Sequence, residues 1–254
     1  MWSGEYSFVL RNLIEKDFKV RYRNMSLGIL WSLLNPLIMM GVLTFVFTQI
    51  FRNSNVTNFP IFVLCGMVPL SFFQIAWVSG TTSLLENAAM IKKIPVPRQV
   101  FPIASVFSNC LHLIIQVGLL LGIVVVFGRG VNVYWLWLPV LWGLEIVFVI
   151  GLTLAFSAVN VYIRDTRYVV ESANTVLFWL VPVFYSFSVI PARYHEIYQF
   201  NPVAALVLMM RTILLDGQAP SMHTLSLLFL VSVIMLWAGL AIFARLTKGF
   251  YEHL

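Results

Sequence analysis

Residues 99–128 have the sequence QVFPIASVFSNCLHLIIQVGLLLGIVVVFG, which contains no Asp, Glu, Lys or Arg. About 20 apolar residues in a helix are enough to cross the hydrocarbon core of a bilayer. Lipid offers no hydrogen bonds to backbone groups, so a membrane span is either a helix or part of a closed barrel. The run is continuous and shows no alternation of period two, which is typical of a helix. This stretch therefore predicts a helix that spans the membrane.

The composition of the whole chain agrees with this stretch. Of the 254 residues, 60% are hydrophobic and 10% are charged, whereas a soluble domain carries roughly 25% charged residues. Five further apolar runs predict spans at about 27–51, 59–85, 133–158, 172–190 and 224–244. We therefore predict an all-α integral membrane protein with six transmembrane helices, in which residues 1–254 form a single transmembrane domain.

Two segments outside the spans are also expected to meet the membrane. In residues 1–26, apolar side chains recur at helical spacing and basic side chains fill the other faces. This pattern predicts an amphipathic helix in the membrane interface, with a solvated basic tail as the alternative. Residues 191–223 contain an apolar stretch that is too short to span, follows the breaker Asn201-Pro202 and includes Arg211. We predict short re-entrant helices there, with a seventh span as the alternative.

The distribution of basic residues predicts the orientation. Spans one to five occupy residues 27–190, and residues 224–254 hold span six and a tail. If both termini lie inside, twelve of the 16 Lys and Arg residues fall in cytoplasmic segments and four fall outside. Cytoplasmic loops carry the excess of positive charge, so we predict cytoplasmic N and C termini and an outward-facing re-entrant segment. This topology accounts for the net charge of +6 without a nucleic-acid partner.

The sequence lacks the common motifs of an enzyme. It has no GxxxxGK[ST] phosphate loop, no HExxH zinc motif and no GxSxG elbow, and its two cysteines have no metal or disulfide spacing. Secondary transporters usually show intramembrane charges and an internal repeat, but here such charges are sparse and no convincing repeat is visible. We therefore expect a transport protein without its own cofactor, whose energy comes from a partner that hydrolyses ATP.

One acidic side chain, Glu145, is predicted to lie deep in a span. It is ten residues, or ~15 Å, beyond Trp135 in the fourth span, and His112 lies at a comparable depth in the third. A lone ionised carboxylate at this depth is unfavourable. We therefore hypothesise that Glu145 and His112 share a hydrogen bond between spans three and four. A role in substrate passage or proton movement is the alternative.

Two spans carry faces that mix aromatic and amide side chains. These faces hold Trp31, Asn35, Val42 and Gln49 in span one, and Asn174, Phe178, Tyr185 and Ser188 in span five. Sugar rings offer C–H faces to aromatic rings and hydroxyl groups to amides. We therefore predict that the two faces line a conduit for sugars. Contact with lipid or packing between helices is the alternative, and it accounts for most aromatic residues of the spans.

Four motifs, in order along essentially the whole chain, resemble one family. They are FKVRYRNMSLGILWSLLNPL at 18–37, KKIPVPRQVFP at 92–102, NVYIRD at 160–165, and Asn201-Pro202 followed by Arg211 and LLDG at 214–217. Each motif alone is loose, but their order and spacing are specific. The chain resembles the ABC-2-type permeases, and among them the exporters of lipid-linked O-antigen, capsule and wall teichoic acid.

The resemblance implies roles for several segments. Residues 5–24 would form the interfacial helix and residues 86–98 a coupling helix, both packed against an ATPase subunit, and residues 197–217 would form the outward re-entrant helices. Charges that contact or anchor these cytoplasmic segments would be Glu86, Lys92, Lys93, Arg98, Arg164 and Asp165. The resemblance also implies a homodimer with two ATP-binding cassette subunits, which hold ATP and magnesium. The conduit would form between the protomers, largely from spans one and five.

These expectations combine into a permease that exports a lipid-linked polysaccharide across the bacterial inner membrane. Arg21 and Arg23 would meet the pyrophosphate of a lipid carrier at the entrance, or they simply follow the positive-inside rule. Teichoic acid, capsule and a small amphiphile are alternative substrates. A channel or secondary transporter that is not driven by ATP, and a membrane scaffold, are alternatives from other classes.

Overall fold

A computed structural model describes residues 3–23, 28–51, 58–93, 96–127 and 130–250. These residues form helices and irregular connections, and they contain no β-strand. Their ten α-helices are α1 (Ser3–Tyr22), α2 (Trp31–Phe45), α3 (Phe59–Glu86), α4 (Ala88–Ile91), α5 (Val100–Val126), α6 (Leu138–Tyr162), α7 (Thr166–Leu180), α8 (His195–Phe200), α9 (Pro202–Leu214) and α10 (Met222–Leu246).

Among the described helices, five are long and apolar enough to cross a membrane. With the 3-10 and π-helical turns at their ends, they cover Gly28–Ile50, Phe59–Glu86, Val100–Val126, Val133–Tyr162 and Met222–Gly249. They correspond to predicted spans one, two, three, four and six. The prediction of an all-helical integral membrane protein is therefore confirmed.

The predicted bounds of the fifth span are wrong. Its helix, α7, begins at Thr166 and ends at Leu180, whereas the prediction ran from residue 172 to residue 190. Val181 is extended, with a ψ of 132°, because a proline such as Pro182 disfavours helical geometry in the residue before it. The 15 residues of α7 measure about 22 Å, which is less than the ~30 Å hydrocarbon core. The count of six full spans stays a prediction.

Helix α3 lies at the centre of the bundle. It contacts α2, α5, α6, α7 and α9, and most of its apolar side chains are buried. Helix α2, by contrast, is apolar, but only Ser32 and Pro36 of its 15 residues are buried. Because one chain does not cover α2, lipid or another protein has to do so.

Helices α6 and α10 pack closely and run in the same direction. Gly151 of α6 faces Gly239 of α10, and a Cβ added at Gly151 would lie 2.5 Å from the carbonyl group of Met235. At one end of the same pair, the Tyr162 hydroxyl donates to the Leu246 carbonyl oxygen at 2.7 Å. Small residues allow membrane helices to approach this closely, so the two glycines set the spacing of α6 and α10.

The amphipathic helix predicted at the N terminus is present as α1. Its apolar face packs on α5, and Leu13 is buried. On the exposed face, Arg11 pairs with Glu15 at 3.1 Å, and this hydrogen bond holds the pKa of the Glu15 carboxyl below its usual value. Lys16 Nζ donates to Asn87 Oδ1 at 2.6 Å. Helix α1 is therefore part of the folded bundle rather than a solvated tail.

The segment predicted as re-entrant contains the short helices α8 and α9. Asn201 caps α9, because its Oδ1 accepts hydrogen bonds from the backbone N–H groups of Val203 and Ala204 at 3.1 and 3.4 Å. Helix α9 is buried along almost its whole length, mainly against α3. Its 13 residues measure about 20 Å, too short to cross the bilayer, so the structure gives the alternative of a seventh span no support. The outward placement stays a prediction.

Candidate functional site

Two open cavities adjoin each other on the surface of α3. One of about 690 Å³ lies between α3 and α7. The other, of about 410 Å³, lies between α2, α3, α5 and the end of α1. Ile75 of α3 lines both cavities. The structure therefore brings part of each predicted face to adjoining cavities, Trp31 and Asn35 of span one to one cavity and Asn174 and Phe178 of span five to the other. The strip of α3 between the two cavities was not predicted as part of the site.

The cavity beside α7 contains two predicted conduit residues, Asn174 and Phe178. Asn174 Nδ2 donates to the Gln74 carbonyl oxygen at 3.3 Å, and Gln74 Nε2 donates to the Asn174 carbonyl oxygen at 2.9 Å. This reciprocal pair of amides fastens α7 to α3. The same cavity is lined by Arg167 and Glu171, which pair at 2.8 Å. It thus runs from an amide pair inside the bundle to an ion pair in the first turns of α7.

The predicted conduit residues of span one occupy two environments. Trp31 and Asn35 line the cavity beside α2. Val42 and Gln49 are exposed farther along the same span. The face predicted on span one is therefore open to the outside of the single chain along its length, and its role as a conduit wall stays a prediction.

Tyr185 hydrogen-bonds to the end of α7. Its hydroxyl donates to the Leu180 carbonyl oxygen at 2.8 Å and lies 3.3 Å from the Tyr198 hydroxyl. The last carbonyl groups of a helix lack partners within it, so Tyr185 closes the C-terminal end of α7. The side chain of Ser188, also predicted to line the conduit, lies outside the described part of the structure.

A partly buried polar network joins four helices along the wall of the cavity beside α2. The Tyr22 hydroxyl lies 2.6 Å from Ser32 Oγ, and His112 Nδ1 lies 2.9 Å from Ser32 Oγ. On the other side of the ring, His112 Nε2 lies 3.0 Å from Gln116 Nε2, and Ser71 Oγ donates to Gln116 Oε1 at 2.9 Å. An amide nitrogen can only donate, so the neutral imidazole carries its proton on Nδ1. This network was not predicted from the sequence, although polar residues inside apolar runs are the signal that marks one.

The predicted hydrogen bond between His112 and Glu145 is wrong. His112 contacts Tyr22, Ser32 and Gln116, while Glu145 is only 3% exposed and neither of its carboxyl oxygens has a hydrogen-bond partner in the described residues. On α5 it is Cys110 that lies close to Glu145. A step of two residues turns a helix by about 200°, so His112 points away. The predicted depths of the two residues are compatible with pairing, but His112 lies on a different face of α5 from Cys110.

The charges predicted to contact an ATPase occupy two loops at one end of the bundle. The exposed ones are Glu86, Lys92, Lys93, Arg164 and Asp165. Helix α4 separates Glu86 from the two lysines. Glu86 and Arg167 line the same cavity, so the loop after α3 and the loop after α6 adjoin each other. They present a mixed, solvent-accessible charged surface.

Arg98 differs from these exposed charges because it is anchored within the chain. Its Nη1 donates to the Thr247 carbonyl oxygen at 2.7 Å, and its guanidinium carbon lies 5.6 Å from the centre of the Phe250 ring. These contacts fasten the segment before α5 to the residues that follow α10. The arrangement agrees with an anchoring role for Arg98.

A third cavity, of about 610 Å³, runs along α1 and is basic. It is lined by Lys16, Lys19 and Arg23, together with Glu15. The side chain of Arg21 lies outside the part of the chain that the structure describes. The basic surface is thus on the helix that precedes span one, where it was predicted, and its role at an entrance stays a prediction.

Comparison with known proteins defines the family. Residues 9–215 match the ABC-2 type transporter family. The chain is 30% identical to the O-antigen export system permease protein RfbA of Klebsiella pneumoniae, over 95% of this chain and 93% of that protein. It is 29% identical to the protein of the same name from Myxococcus xanthus, over 98% and 96%. It is 23% identical to the polysialic acid transport protein KpsM of Escherichia coli, over 91% and 90%. The family expected from the motifs is confirmed, and the chain belongs to the ABC-2 type transporter family.

Proposed function

We propose that this chain is the membrane-spanning permease subunit of an ATP-driven exporter, which moves a lipid-linked polysaccharide such as O-antigen across the bacterial inner membrane. Relatives that align with at least 91% of the chain are named for O-antigen export and for polysialic acid transport. The observation that carries the proposal is the pair of adjoining cavities, whose walls combine aromatic rings, amides and hydroxyl groups. Sugars bind through these groups.

A capsule polysaccharide is the second candidate substrate. The relatives from Escherichia coli and Neisseria meningitidis are named for polysialic acid transport and capsule polysaccharide export, and they are 23% and 24% identical to this chain. The 30% identity to the O-antigen export permease makes O-antigen the first candidate. Both are sugar polymers, so the chemistry required of the conduit is the same.

The conduit would form between two copies of the chain. Ile38, Val42 and Phe45 of α2 are half-exposed or more, and an apolar surface of this kind needs lipid or a protein partner to cover it. A second copy that covers α2 and α7 would enclose the open cavities of both protomers. The homodimer therefore accounts for the exposure of α2 and for the openness of the cavities together.

ATP and magnesium would bind to two ATP-binding cassette subunits, since the sequence of this chain contains no phosphate loop. The loops after α3 and α6 carry the exposed charges that such subunits would contact. With cytoplasmic N and C termini, both loops lie on the cytoplasmic side. Movement of the ATPase subunits would then be transmitted through these loops to α3 and α7, the two helices that border the larger cavity.

A bulky side chain at the boundary of the two cavities tests the conduit. Ile75 is 36% exposed, so the ring of an Ile75→Trp variant can enter the cavities without disturbing the core. We expect the Ile75→Trp variant to export less than half as much polysaccharide to the cell surface as the wild type. Ile114→Trp on α5 is the matched control, since Ile114 is 65% exposed and lines neither cavity. If Ile75→Trp and Ile114→Trp export equal amounts of polysaccharide at equal protein levels, the two cavities are not part of the conduit.

Removal of two exposed lysines tests the ATPase contact. Lys92→Ala combined with Lys93→Ala should weaken co-purification of the neighbouring ATP-binding protein severalfold, because exposed ion pairs contribute about 0.2–1 kcal/mol each. Arg98→Met should instead lower the thermal stability of the permease itself, because it removes the bond to Thr247. If the wild-type permease binds no ATPase, the energy source lies elsewhere and a channel or secondary transporter becomes the leading function.

A further inference from the structure

The cavity beside α2, here called the inner polar pocket, has the composition of a carbohydrate site. It is defined by Tyr22, Trp31, Ser32, Asn35, Pro36, Met67, Ser71, Ile75, His112 and Gln116. Its volume of about 410 Å³ lies within the range of ~300–1,000 Å³ that small-molecule pockets occupy. Seven of these ten side chains carry a polar group, and three of the seven are aromatic rings, those of Tyr22, Trp31 and His112.

The back wall of the inner polar pocket is held in one orientation. Tyr22, Ser32, His112, Gln116 and Ser71 hydrogen-bond to one another across α1, α2, α3 and α5. Such a network fixes the direction of each donor and acceptor before a ligand arrives, which lowers the entropy lost on binding. The wall is therefore preorganised.

The front of the pocket keeps two side chains available. Trp31 is 47% exposed, so one part of its indole ring is open. Asn35 is exposed, and its amide makes no hydrogen bond to any residue that the structure describes. The two residues lie four positions apart on α2, and residues at this spacing share a helix face. The indole ring of Trp31 and the amide of Asn35 therefore lie side by side at the opening of the pocket.

The lining of the inner polar pocket suits a neutral ligand better than an anionic one. None of its ten lining residues is Lys, Arg, Asp or Glu, whereas the cavity along α1 contains Lys16, Lys19 and Arg23. A phosphate group would favour the basic cavity. A neutral sugar ring, which stacks its C–H face on an aromatic ring and exchanges hydrogen bonds with amides and hydroxyl groups, suits the inner polar pocket.

We propose that the inner polar pocket is a subsite that binds a neutral sugar ring of the passing glycan, with Trp31 as the stacking surface and Asn35 as the amide that reads its hydroxyl groups. This inference rests on the proposed function. In addition, span one favours some sugars over others. A sugar whose hydroxyl groups cannot hydrogen-bond to the Asn35 amide leaves that amide unpaired and therefore binds less tightly. Trp31 and Asn35 are therefore specificity-determining residues.

Fluorine NMR on the full chain in lipid nanodiscs tests the subsite. The eight tryptophans are labelled with 5-fluorotryptophan, and the Trp31 signal is identified by its loss in Trp31→Phe. The probes are short neutral fragments of the surface polysaccharide made by the cells that encode this chain, and inorganic pyrophosphate. We expect the fragments to shift the Trp31 signal saturably and pyrophosphate to leave it in place. Asn35→Leu should weaken fragment binding by about tenfold.

The matched control is Trp237→Phe, which removes a tryptophan that is 74% exposed on α10 and outside the pocket. It should leave fragment affinity unchanged. The subsite is wrong if fragments leave the Trp31 signal unmoved, if pyrophosphate shifts it, or if Asn35→Leu binds fragments as the wild type does. These results leave the proposed function standing as long as wild-type cells export polysaccharide through this permease. Absence of export by the wild type would overturn the proposed function itself.

Discussion

Gly239→Ala is expected to destabilise the permease by about 3 kcal/mol, the upper end of the usual cost of overpacking, because it inserts a methyl group between two helix backbones. A Cβ at Gly239 would overlap the carbonyl oxygen of Gly151 and lie 2.8 Å from its carbonyl carbon. Backbone atoms of a packed helix cannot turn aside as a flexible side chain can. Helices α6 and α10 would have to separate along their whole contact. The measurement is thermal unfolding of the purified protein, together with the amount that reaches the membrane.

The matched control lies on α6, the partner helix. Nothing lies within 4 Å of a Cβ added at Gly143, and Ala is favoured over Gly in a helix by about 0.5–1 kcal/mol. Gly143→Ala should therefore leave the unfolding temperature unchanged or raise it slightly. If Gly239→Ala and Gly143→Ala unfold at the same temperature, the close approach of α6 and α10 is wrong.

The membrane-spanning helices were predictable because length and apolar composition decide whether a segment crosses a bilayer. Five predicted spans match long apolar helices. The fifth failed for a reason that an average hydropathy does not record, because the single residue Pro182 hardly changes the average of the apolar residues around it. A signal was present, since a proline disfavours helical geometry in the residue before it. Pro36 and Pro69 nevertheless lie inside α2 and α3, so a proline alone does not decide where a helix ends. A proline inside an apolar run has to be weighed against the run length.

Contacts between helices were less predictable than the helices themselves. The depth of His112 follows from its distance along the chain, but its face depends on how α5 is rotated in the bundle, and one sequence does not determine that rotation. The pairing of Gly151 with Gly239 depends on packing between α6 and α10 in the same way. Arg98 and Lys93 look alike in sequence, and the structure separates an anchored side chain from an exposed one.

The buried guanidinium of Arg211 was assigned to the re-entrant motif, but its contacts could not be foreseen. It is 6% exposed and lies 3.4 Å above the centre of the Phe62 ring. Its Nη2 donates to the carbonyl oxygens of Val183 and Phe62 at 2.6 and 3.2 Å. A Cβ at Gly66 would lie 3.2 Å from the same Nη2, so this glycine leaves room for it. Arg211 therefore joins α9, the start of α3 and the irregular segment after α7.

Arg211→Met is expected to destabilise the permease by about 1–3 kcal/mol, because a buried carbonyl group loses the hydrogen-bond donor that satisfies it. Met fills the space of the aliphatic stem, but it leaves the carbonyl of Val183 without its donor in an apolar core, at about 1–3 kcal/mol for each such group. The stability of Arg211→Lys should lie between that of the wild type and that of Arg211→Met. A lysine ammonium group cannot replace a planar guanidinium group that donates to two carbonyl oxygens and stacks on a ring. Thermal unfolding of the three proteins is the measurement.

Arg193→Met is the control for removal of one positive charge from the same region. Arg193 is exposed and lies 4.6 Å from the centre of the Tyr194 ring, so its replacement should leave the unfolding temperature nearly unchanged. If Arg211→Met also unfolds at the temperature of the wild type, the guanidinium group does not hold the segment after α7 in place. If stability is kept while export is lost, Arg211 acts on the transported polymer. In that case the short helices belong to the conduit rather than to its support.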